Sequence, residues 1–482
     1  MRKENPMGKP GSRRDFVKSS AVGFIAAAMA GVTPAEATVL QSGRNNRVLL
    51  KGGTVLTLDR NIGDFENADV LIEGKKIVAI QPNLKAEAQV IDASNTIVMP
   101  GFIDTHHHQY ETILRSILAD GLLAGPKSYQ SEIQGILTPA YRPEDANISE
   151  LVASLSQINA GVTTGVDTSQ VSHTPEHTDA CIDGLTRAGR RTLFAYSQGV
   201  GPGVQYPQDI RRLRMQYFSS DDQLLTLAMG GGADANIWAI AREAGAPIVN
   251  HIVGNSAALE QLGSAGLMRA DNEYIHCVRL TESVWKRIAD TGGKVSIATT
   301  IEMQMRHGMP PIQTALDHGI RPSLSVDVET NMAADMFTVM RSTFTLHRTL
   351  INERALAGEQ NLPPLLTCRD VLEMATIEGA RASHLDHKVG TLTPGKEADI
   401  IMLRTDAINV TPLNNAPGAV VTLMDTSNVD TVFIAGKLMK RGGKLLGVDL
   451  PKIRRAVEAS RDAVLARAKY ARNLFGSCCA GV

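Results

Sequence analysis

Histidine and aspartate residues at the ends of predicted strands are the residues of this sequence best suited to chemistry. His106 and His108 follow the apolar run VMPGFI, His251 follows PIVN, His276 follows NEYI, and Asp327 follows RPSLSV. His106 and His108 are two residues apart, so on a strand they point to the same side, as two ligands of one metal must. Neutral imidazole and carboxylate are ligands that suit zinc or ferrous iron. The pattern therefore predicts one metal centre built from four strand ends.

The elements that must position these side chains alternate along the middle of the chain. From about residue 100 to 345, helical patterns such as ELVASLSQINAG precede short apolar runs such as VTTGVD. Several of the predicted helices end at a glycine directly before the next strand, which is a helix C-cap signal. Repeated alternation over about 240 residues predicts a parallel α/β fold, and this length favours a (β/α)8 barrel. In such a barrel the carboxyl ends of the strands share one face, where active sites form.

Both ends of the predicted barrel are rich in strands. RVLLKGGTVLTL and DVLIEGKKIVAI precede the barrel, and VGTLTPGKEADIIML and VDTVFIAGKLMKRGGKLL follow it. Strands from the two ends have to meet to form a second, small β-domain, for which we expect residues 38–99 and 389–450. In the last segment, 451–482, residues 452–475 are predicted to form one amphipathic helix.

The motifs PGFIDTHHH, HCVRLT, SVDVE and VGTLTPGKEADIIML together resemble the amidohydrolase superfamily. Residues 276–340 are similar to its chlorohydrolase and cytosine-deaminase-like branch. The resemblance implies a distorted (β/α)8 TIM barrel over residues 100–388, flanked by a composite β-sandwich from both chain ends. It implies that His276 hydrogen-bonds the metal-bound water or the substrate, and that Asp327 also acts as the base. The metal ligands that it implies are His106, His108, His251 and Asp327.

The sequence departs from the family pattern at two places. Binuclear members need a bridging group, usually a carboxylated lysine near the fourth strand, but no lysine occurs between Lys127 and Lys286. The candidate fourth strand, LLTLAMGGG, also has no acidic residue. We therefore expect one divalent ion per chain, with zinc as the first choice and iron as the second. Deaminases of this branch usually carry a glutamate three residues after the fifth-strand histidine, and this sequence has Gly254 there, which disfavours standard purine or pyrimidine deamination.

Other polar residues near the motifs are candidates for the substrate pocket. The candidates for substrate binding are Gln109, Tyr110, Glu302 and His307. His173 and His177 are interpreted as solvated loop or helix-cap residues.

Composition and the N-terminus bound the setting of the protein. The 482 residues include 49 Lys+Arg and 50 Asp+Glu, for a net charge of -1. This near-neutral charge removes the usual electrostatic argument for binding to nucleic acid or to an anionic membrane. Five cysteines, three of them widely spaced and two adjacent near the C-terminus, do not form a disulfide scaffold in a chain of this length. Residues 1–37 resemble a twin-arginine export signal, with Arg13 and Arg14, an apolar run over 21–33 and a small-x-small site. That run is about 20 Å long as a helix, too short for a bilayer core of about 30 Å. A periplasmic or secreted location is expected, without a membrane span after cleavage.

These observations predict an exported, mononuclear, metal-dependent hydrolase. Its expected reaction is hydrolysis of a non-peptide C–N bond (amide, urea or cyclic) or a C–halogen bond in a small molecule. Two alternatives stay open: a heteroaromatic amine deaminase of the cytosine or guanine deaminase kind, and a non-catalytic metal-binding scaffold. The family resemblance favours a homo-oligomer.

Overall fold

Two β-sheets organise residues 46–476, the part of the chain that the computed structural model describes. The expected export signal, residues 1–37, lies outside this range. In chain order the strands are β1 (Arg47–Val55), β2 (Phe65–Glu73), β3 (Lys76–Gln81), β4 (Gln89–Asp92), β5 (Thr96–Pro100), β6 (Phe102–His107), β7 (Val162–Ser169), β8 (Arg191–Tyr196), β9 (Leu225–Gly231), β10 (Ile248–Val253), β11 (Asn272–Val278), β12 (Lys294–Ile297), β13 (Ser323–Leu324), β14 (Ile400–Arg404), β15 (Val429–Ile434), β16 (Lys437–Arg441) and β17 (Lys444–Leu445).

Helices separate most of the strands in the middle of the chain. The α-helices are α1 (Pro143–Asn159), α2 (Pro175–Ala188), α3 (Ile210–Gln216), α4 (Ala235–Glu243), α5 (Ser256–Ser264), α6 (Glu282–Asp290), α7 (Thr299–Gln304), α8 (Ile312–Asp317), α9 (Met336–Leu356), α10 (Cys368–Met374), α11 (Ile377–Ala382), α12 (Ala416–Gly418) and α13 (Leu450–Arg467). Short 3-10 segments are Gln109–Leu114, Thr138–Ala140 and Thr426–Asn428, and π-helical segments are Tyr129–Leu137 and Ala419–Leu423.

Strands β6 to β13 form one parallel sheet in sequence order within the described residues. Its two edges meet where the backbone N–H of Asp327 donates to His106 O at 2.9 Å and the N–H of His108 donates to Asp327 O at 2.8 Å. The predicted (β/α)8 barrel is confirmed. Because the first and last strands close the barrel, the HxH motif and Asp327 lie side by side.

The barrel interior is packed with side chains. A buried aliphatic cluster draws one or two residues from each of β7 to β11; its members are Val166, Leu193, Ala195, Ala228, Val249 and Ile275. Beside it, Thr105 Oγ1 lies 2.7 Å from Ser296 Oγ and 2.9 Å from Ser323 Oγ, which links β6, β12 and β13. This layered filling makes the barrel a rigid support for groups at its strand ends.

Strands from both chain ends form the second, mixed sheet, as predicted. Its order is β17-β16-β15-β14-β5-β1-β2-β3, with β4 paired to β1. The two ends join where β5 runs antiparallel to β14. Buried Arg191, at the start of β8, links this sheet to the barrel, because its guanidinium donates to Asp399 at 2.9 and 3.0 Å and to Glu397 at 2.6 Å.

The C-terminal helix is shorter than its pattern suggested. Helix α13 ends at Arg467, and Lys469 takes a left-handed φ of 51°, which stops the helical path. Val464 and Leu465 are buried as expected, but Leu474 lies beyond the helix and is 71% exposed. The expectation that the helix reaches residue 475 was wrong in its last two turns. Among residues 46–476, no helix is long and apolar enough to cross a membrane.

Candidate metal centre

Three imidazoles and one carboxylate converge at the carboxyl ends of the barrel strands. His251 Nε2 lies 3.2 Å from Nε2 of both His106 and His108. Asp327 Oδ1 lies 3.1 Å from His106 Nε2 and 3.6 Å from His108 Nε2. Four ligands placed tetrahedrally about 2.0–2.1 Å from a zinc ion are separated from one another by about 3.3 Å. The donor set and its spacing therefore fit a single divalent ion.

The backbone at two of the strand ends is held in an uncommon conformation. Asp327 has a φ of 66° and His276 a φ of 70°, both in the left-handed region. Non-glycine residues held in sparsely populated regions cost about 1–3 kcal/mol and persist where the surrounding structure determines them. At Asp327 the surroundings are the two closure hydrogen bonds with β6. The barrel closure thus turns this carboxylate toward the histidines.

Thr168, on the neighbouring strand β7, orients both histidines of the HxH motif. Its Oγ1 lies 3.0 Å from Nδ1 of His106, and its backbone oxygen lies 3.2 Å from Nδ1 of His108. When each ring carries its proton on Nδ1 and donates it to Thr168, Nε2 is left unprotonated for a metal. No local pattern in the sequence marked Thr168, because its role depends on the β6–β7 pairing.

The electrostatics of the centre suit a cation. Burial lowers the pKa of His106, holds that of His108 at about 3, and holds that of His251 well below its usual value. Burial alone raises the pKa of Asp327, but the hydrogen bond from His106 and the electrostatic attraction to the neighbouring histidines, among them His276 with its raised pKa, hold the Asp327 pKa well below its usual range. At neutral pH the four groups are three neutral imidazoles and one anion, which is the protonation state that a divalent ion requires.

His276 stands beside the ligands and is fixed by Glu302. Its Nδ1 lies 3.1 Å from Glu302 Oε1, and its Nε2 lies 3.7 Å from Asp327 Oδ2. Glu302 Oε1 also accepts the backbone N–H of Ala298 at 2.9 Å. Burial works to lower the pKa of His276, but the charges of Asp327 and Glu302 raise it above its usual value. His276 is therefore a hydrogen-bond donor whose Nε2 faces the metal ligands.

The structure also brings the predicted pocket residue His307 to the centre. Its ring centroid lies 4.9 Å from that of His276, and the side chain is 4% exposed. Neither ring nitrogen has a hydrogen-bond partner among the residues described. Burial lowers the pKa of His307 to about 4, so its ring is neutral at pH 7.

The two candidates that follow the HxH motif have different surroundings. The Tyr110 ring lies 6.2 Å from that of His108 and is fully buried. Gln109 is also fully buried, and its Oε1 accepts hydrogen bonds from Ser154 Oγ at 3.0 Å and Arg190 Nη2 at 3.1 Å. The amide oxygen of Gln109 is thus engaged in a buried network with helix α1.

A tyrosine that the sequence did not single out lies near the centre. Tyr129, in the long segment between β6 and α1, places its ring 6.4 Å from that of His108. Its hydroxyl donates to Glu111 Oε1 at 2.6 Å, and burial raises the pKa of Glu111 to about 8. Glu111 stood out in the sequence only because it closely follows the HxH motif. Nothing in the sequence pointed to Tyr129, which lies in the long segment between β6 and α1, away from the predicted strand ends.

His173 and His177 are buried, not solvated as the sequence suggested. They are 7% and 9% exposed. His173 Nε2 lies 2.9 Å from Thr138 O, and His177 Nε2 lies 3.2 Å from Tyr141 O. These two histidines connect the segment around residues 138–141 to the loop after β7, which holds His173, and to the first turn of α2, which holds His177. Burial of a loop residue depends on which distant segment covers it, so the local polarity of SHTPEHTD was misleading.

Comparisons with known proteins agree with this architecture. The model of the Amidohydrolase family matches residues 97–439. A 5'-deoxyadenosine deaminase of Methanosarcina barkeri is 26% identical over 445 residues, which cover 87% of this chain and 99% of that protein. A 5-methylthioadenosine/S-adenosylhomocysteine deaminase of Syntrophus aciditrophicus is 26% identical over 458 residues, with the same coverage of 87% and 99%.

Two zinc-containing crystal structures share the fold. An adenosine deaminase from Xanthomonas campestris with bound zinc has a TM-score of 0.76 at 20% identity and covers 87% of this chain and 98% of its own. An atrazine chlorohydrolase from Arthrobacter aurescens TC1 complexed with zinc has a TM-score of 0.75 at 21% identity and covers 86% and 100%.

Proposed function

The chain belongs to the amidohydrolase family, and on that premise we propose that it is an exported enzyme with one zinc ion per chain that hydrolyses a C–N bond outside an aromatic amidine. The family and its relatives make the protein a metal-dependent hydrolase of C–N bonds other than peptide bonds. The finer proposal concerns the number of ions, the type of bond and the location.

The observation that carries the proposal is the convergence of His106, His108, His251 and Asp327 beside His276. The first four of these residues would hold a divalent ion, which would supply Lewis acidity and lower the pKa of water toward 7. Asp327, which is anionic, accepts the proton of the attacking water and returns it to the leaving nitrogen. Glu302 holds Nδ1 of His276, so that Nε2 of His276 points toward the substrate carbonyl. From there His276 stabilises the negative charge that develops on the carbonyl oxygen.

The choice of bond follows from Gly254. The resemblance to the deaminase branch implies a glutamate at that position that protonates the ring nitrogen, and glycine has no group to do so. An amide or urea needs only its leaving nitrogen protonated, which Asp327 can do with the proton that it received from water. Amides, ureas and non-aromatic cyclic amides are therefore the proposed substrates. A C–halogen bond also fits this machinery, because halide leaves without a proton.

The proposal of one ion rests on strand β9, the fourth strand of the barrel. A second ion would need a bridging lysine or acidic side chain there. Strand β9, LTLAMGG, supplies neither lysine nor an acidic side chain, and no lysine lies between Lys127 and Lys286. Zinc is proposed first because the spacing of the nitrogens fits its short bonds, and iron second.

Deamination of an adenosine derivative is the second candidate. The two relatives described above are named as deaminases of such compounds, and the match with this chain covers 99% of each of them. Zinc-loaded protein should be assayed on amides, ureas, 5'-deoxyadenosine, aminopyrimidines and halotriazines, with released amine, ammonia and halide measured. We expect turnover of an amide or urea that is abolished by a chelator and restored by zinc. A kcat/KM above about 10⁴ M⁻¹s⁻¹ on any aminoheterocycle overturns the choice of bond in favour of deamination.

Export is proposed from Arg13 and Arg14 and the apolar run that follows them. Expression of the full chain in a bacterium should give a shortened protein in the periplasm. The double variant Arg13→Lys, Arg14→Lys should stay in the cytoplasm at full length, and equal export of both proteins contradicts the proposal.

Homo-oligomerisation, expected from the family, is checked by light scattering on the mature protein.

A further inference from the structure

A guanidinium group lies over Gly254, just beyond the strand that carries His251. A Cβ atom at Gly254 is placed 3.7 Å from Cζ and Nη2 of Arg279 and 3.9 Å from its Nε. Gly254 comes three residues after His251, and Arg279 comes three residues after His276. The Gly254 N–H donates to Val278 O at 3.0 Å, which ties the two strand ends together. The charged group of Arg279 thus lies between the ends of two strands that carry residues of the centre.

Two glycines line the path of the Arg279 side chain. A Cβ at Gly308 is placed 3.5 Å from Arg279 Cγ, so the stem runs past the residue that follows His307. Both glycines have positive φ values, 70° at Gly254 and 148° at Gly308, which other residues rarely adopt. Arg279 is exposed, and no residue of the described chain forms a hydrogen bond or ion pair with its guanidinium. A strong donor is thereby left without a partner in the described chain, beside the ends of β10 and β11.

His307, which precedes Gly308 and so lies next to the Arg279 stem, is a second group without a partner in the described chain. One of its ring nitrogens, one of His276 and a carboxylate oxygen of Asp327 lie within 4.8 Å of one another. Its side chain is buried, yet both nitrogens lack a partner within residues 46–476. Buried polar groups in folded proteins are normally hydrogen-bonded, so both ring nitrogens of His307 are available to a water molecule, an ion or a ligand.

The absence of a side chain at Gly254 leaves room for the Arg279 guanidinium, so this side of the strand ends carries a positive charge. We propose that Arg279, together with His307, binds a carboxylate of the substrate, so that the enzyme hydrolyses amide- or urea-type derivatives of acids. The inference rests on the proposed function and narrows its substrate class. Arginine suits this task because its planar fork can donate two parallel hydrogen bonds to one carboxylate.

A binding experiment tests the carboxylate site without relying on catalysis. Benzoate and benzamide, which differ in the anionic group, are titrated into zinc-loaded full chain by calorimetry. We expect benzoate to bind more tightly than benzamide, and Arg279→Gln to weaken benzoate binding at least about tenfold while leaving benzamide unchanged. Arg279→Lys should lie between, because it keeps the charge but loses the fork.

Arg306→Gln is the matched control. Arg306 is also exposed, also has a left-handed φ (61° against 59° for Arg279) and lies on the loop that carries His307. Its loss should not change benzoate binding. The proposal is overturned if wild-type protein binds the two probes equally, if Arg279→Gln keeps the benzoate affinity, or if Arg306→Gln loses as much.

Kinetics with N-benzoylglycine and N-benzoylglycinamide separate this inference from the proposed function. Hydrolysis of the neutral amides or ureas without preference for acids keeps the proposed function and overturns the carboxylate site. Arg279-dependent benzoate binding in a protein that cleaves no C–N bond outside aromatic amidines keeps the site and overturns the proposed function. We expect the acid to be hydrolysed with the higher kcat/KM, and Arg279→Gln to remove that preference mainly through KM.

Discussion

Replacement of Thr168 by valine should weaken metal binding without unfolding the protein. Thr168 Oγ1 lies 3.0 Å from His106 Nδ1, and the imidazole is fully buried. A metal on Nε2 requires the proton on Nδ1, and valine leaves that N–H without a partner. An unsatisfied buried donor costs about 1–3 kcal/mol, which at about 1.4 kcal/mol per factor of ten corresponds to a roughly 5- to 100-fold rise in the metal dissociation constant.

The free-energy cost of the unpaired His106 N–H should affect only the metal-bound state of the Thr168→Val variant. Without metal, His106 can carry its proton on Nε2 and donate it to Asp327 Oδ1, 3.1 Å away. The melting temperature of metal-free protein should therefore stay within about 1 °C of the wild type, which corresponds to about 1 kcal/mol for a chain of this size. His108 keeps its partner in the variant, because that partner is the backbone oxygen of Thr168.

The assay is competition for zinc between the protein and a chromogenic chelator. Thr163→Val is the matched control, since Thr163 lies on the same strand, is 1% exposed and has a hydroxyl without a partner in the described chain. Its zinc affinity should equal that of the wild type. A Thr168→Val affinity within twofold of the wild type, or an equal loss in Thr163→Val, refutes the role assigned to Thr168.

Three further variants test the centre. Asp327→Asn should lower kcat by about 10²–10⁴-fold with the fold kept, because asparagine tolerates the left-handed φ of 66°; near wild-type turnover contradicts its role as base. His251→Ala should lose the single bound ion by elemental analysis, whereas His387→Ala, at an exposed position, should keep it; two tightly bound ions in the wild type contradict the one-ion proposal. Glu302→Gln keeps the shape but removes the charge that raises the pKa of His276. That pKa should fall, although the charge of Asp327 still raises it, so the alkaline limb of the kcat/KM profile moves to lower pH; an unmoved limb shows that Glu302 does not act through His276.

Much of the fold could be predicted because burial patterns repeat locally. Alternating helices and apolar runs indicated the barrel, and the strands at both ends indicated the second sheet, since each element must bury its own apolar face. The end of helix α13 could not be predicted in this way, because the sequence around Lys469 continues a helical pattern through the point where the backbone turns left-handed.

The sequence by itself determined which donor types are available and on which strand ends they stand. The two-residue spacing of His106 and His108 places both on one side of β6 wherever that strand lies. Only the tertiary structure decided that Asp327 turns toward them, because this depends on closure of the barrel between its first and last strands. The same holds for Thr168 and for Arg279 over Gly254. Such contacts join segments far apart in the chain, and their register is set by sheet pairing and packing, which no local spacing of residues encodes.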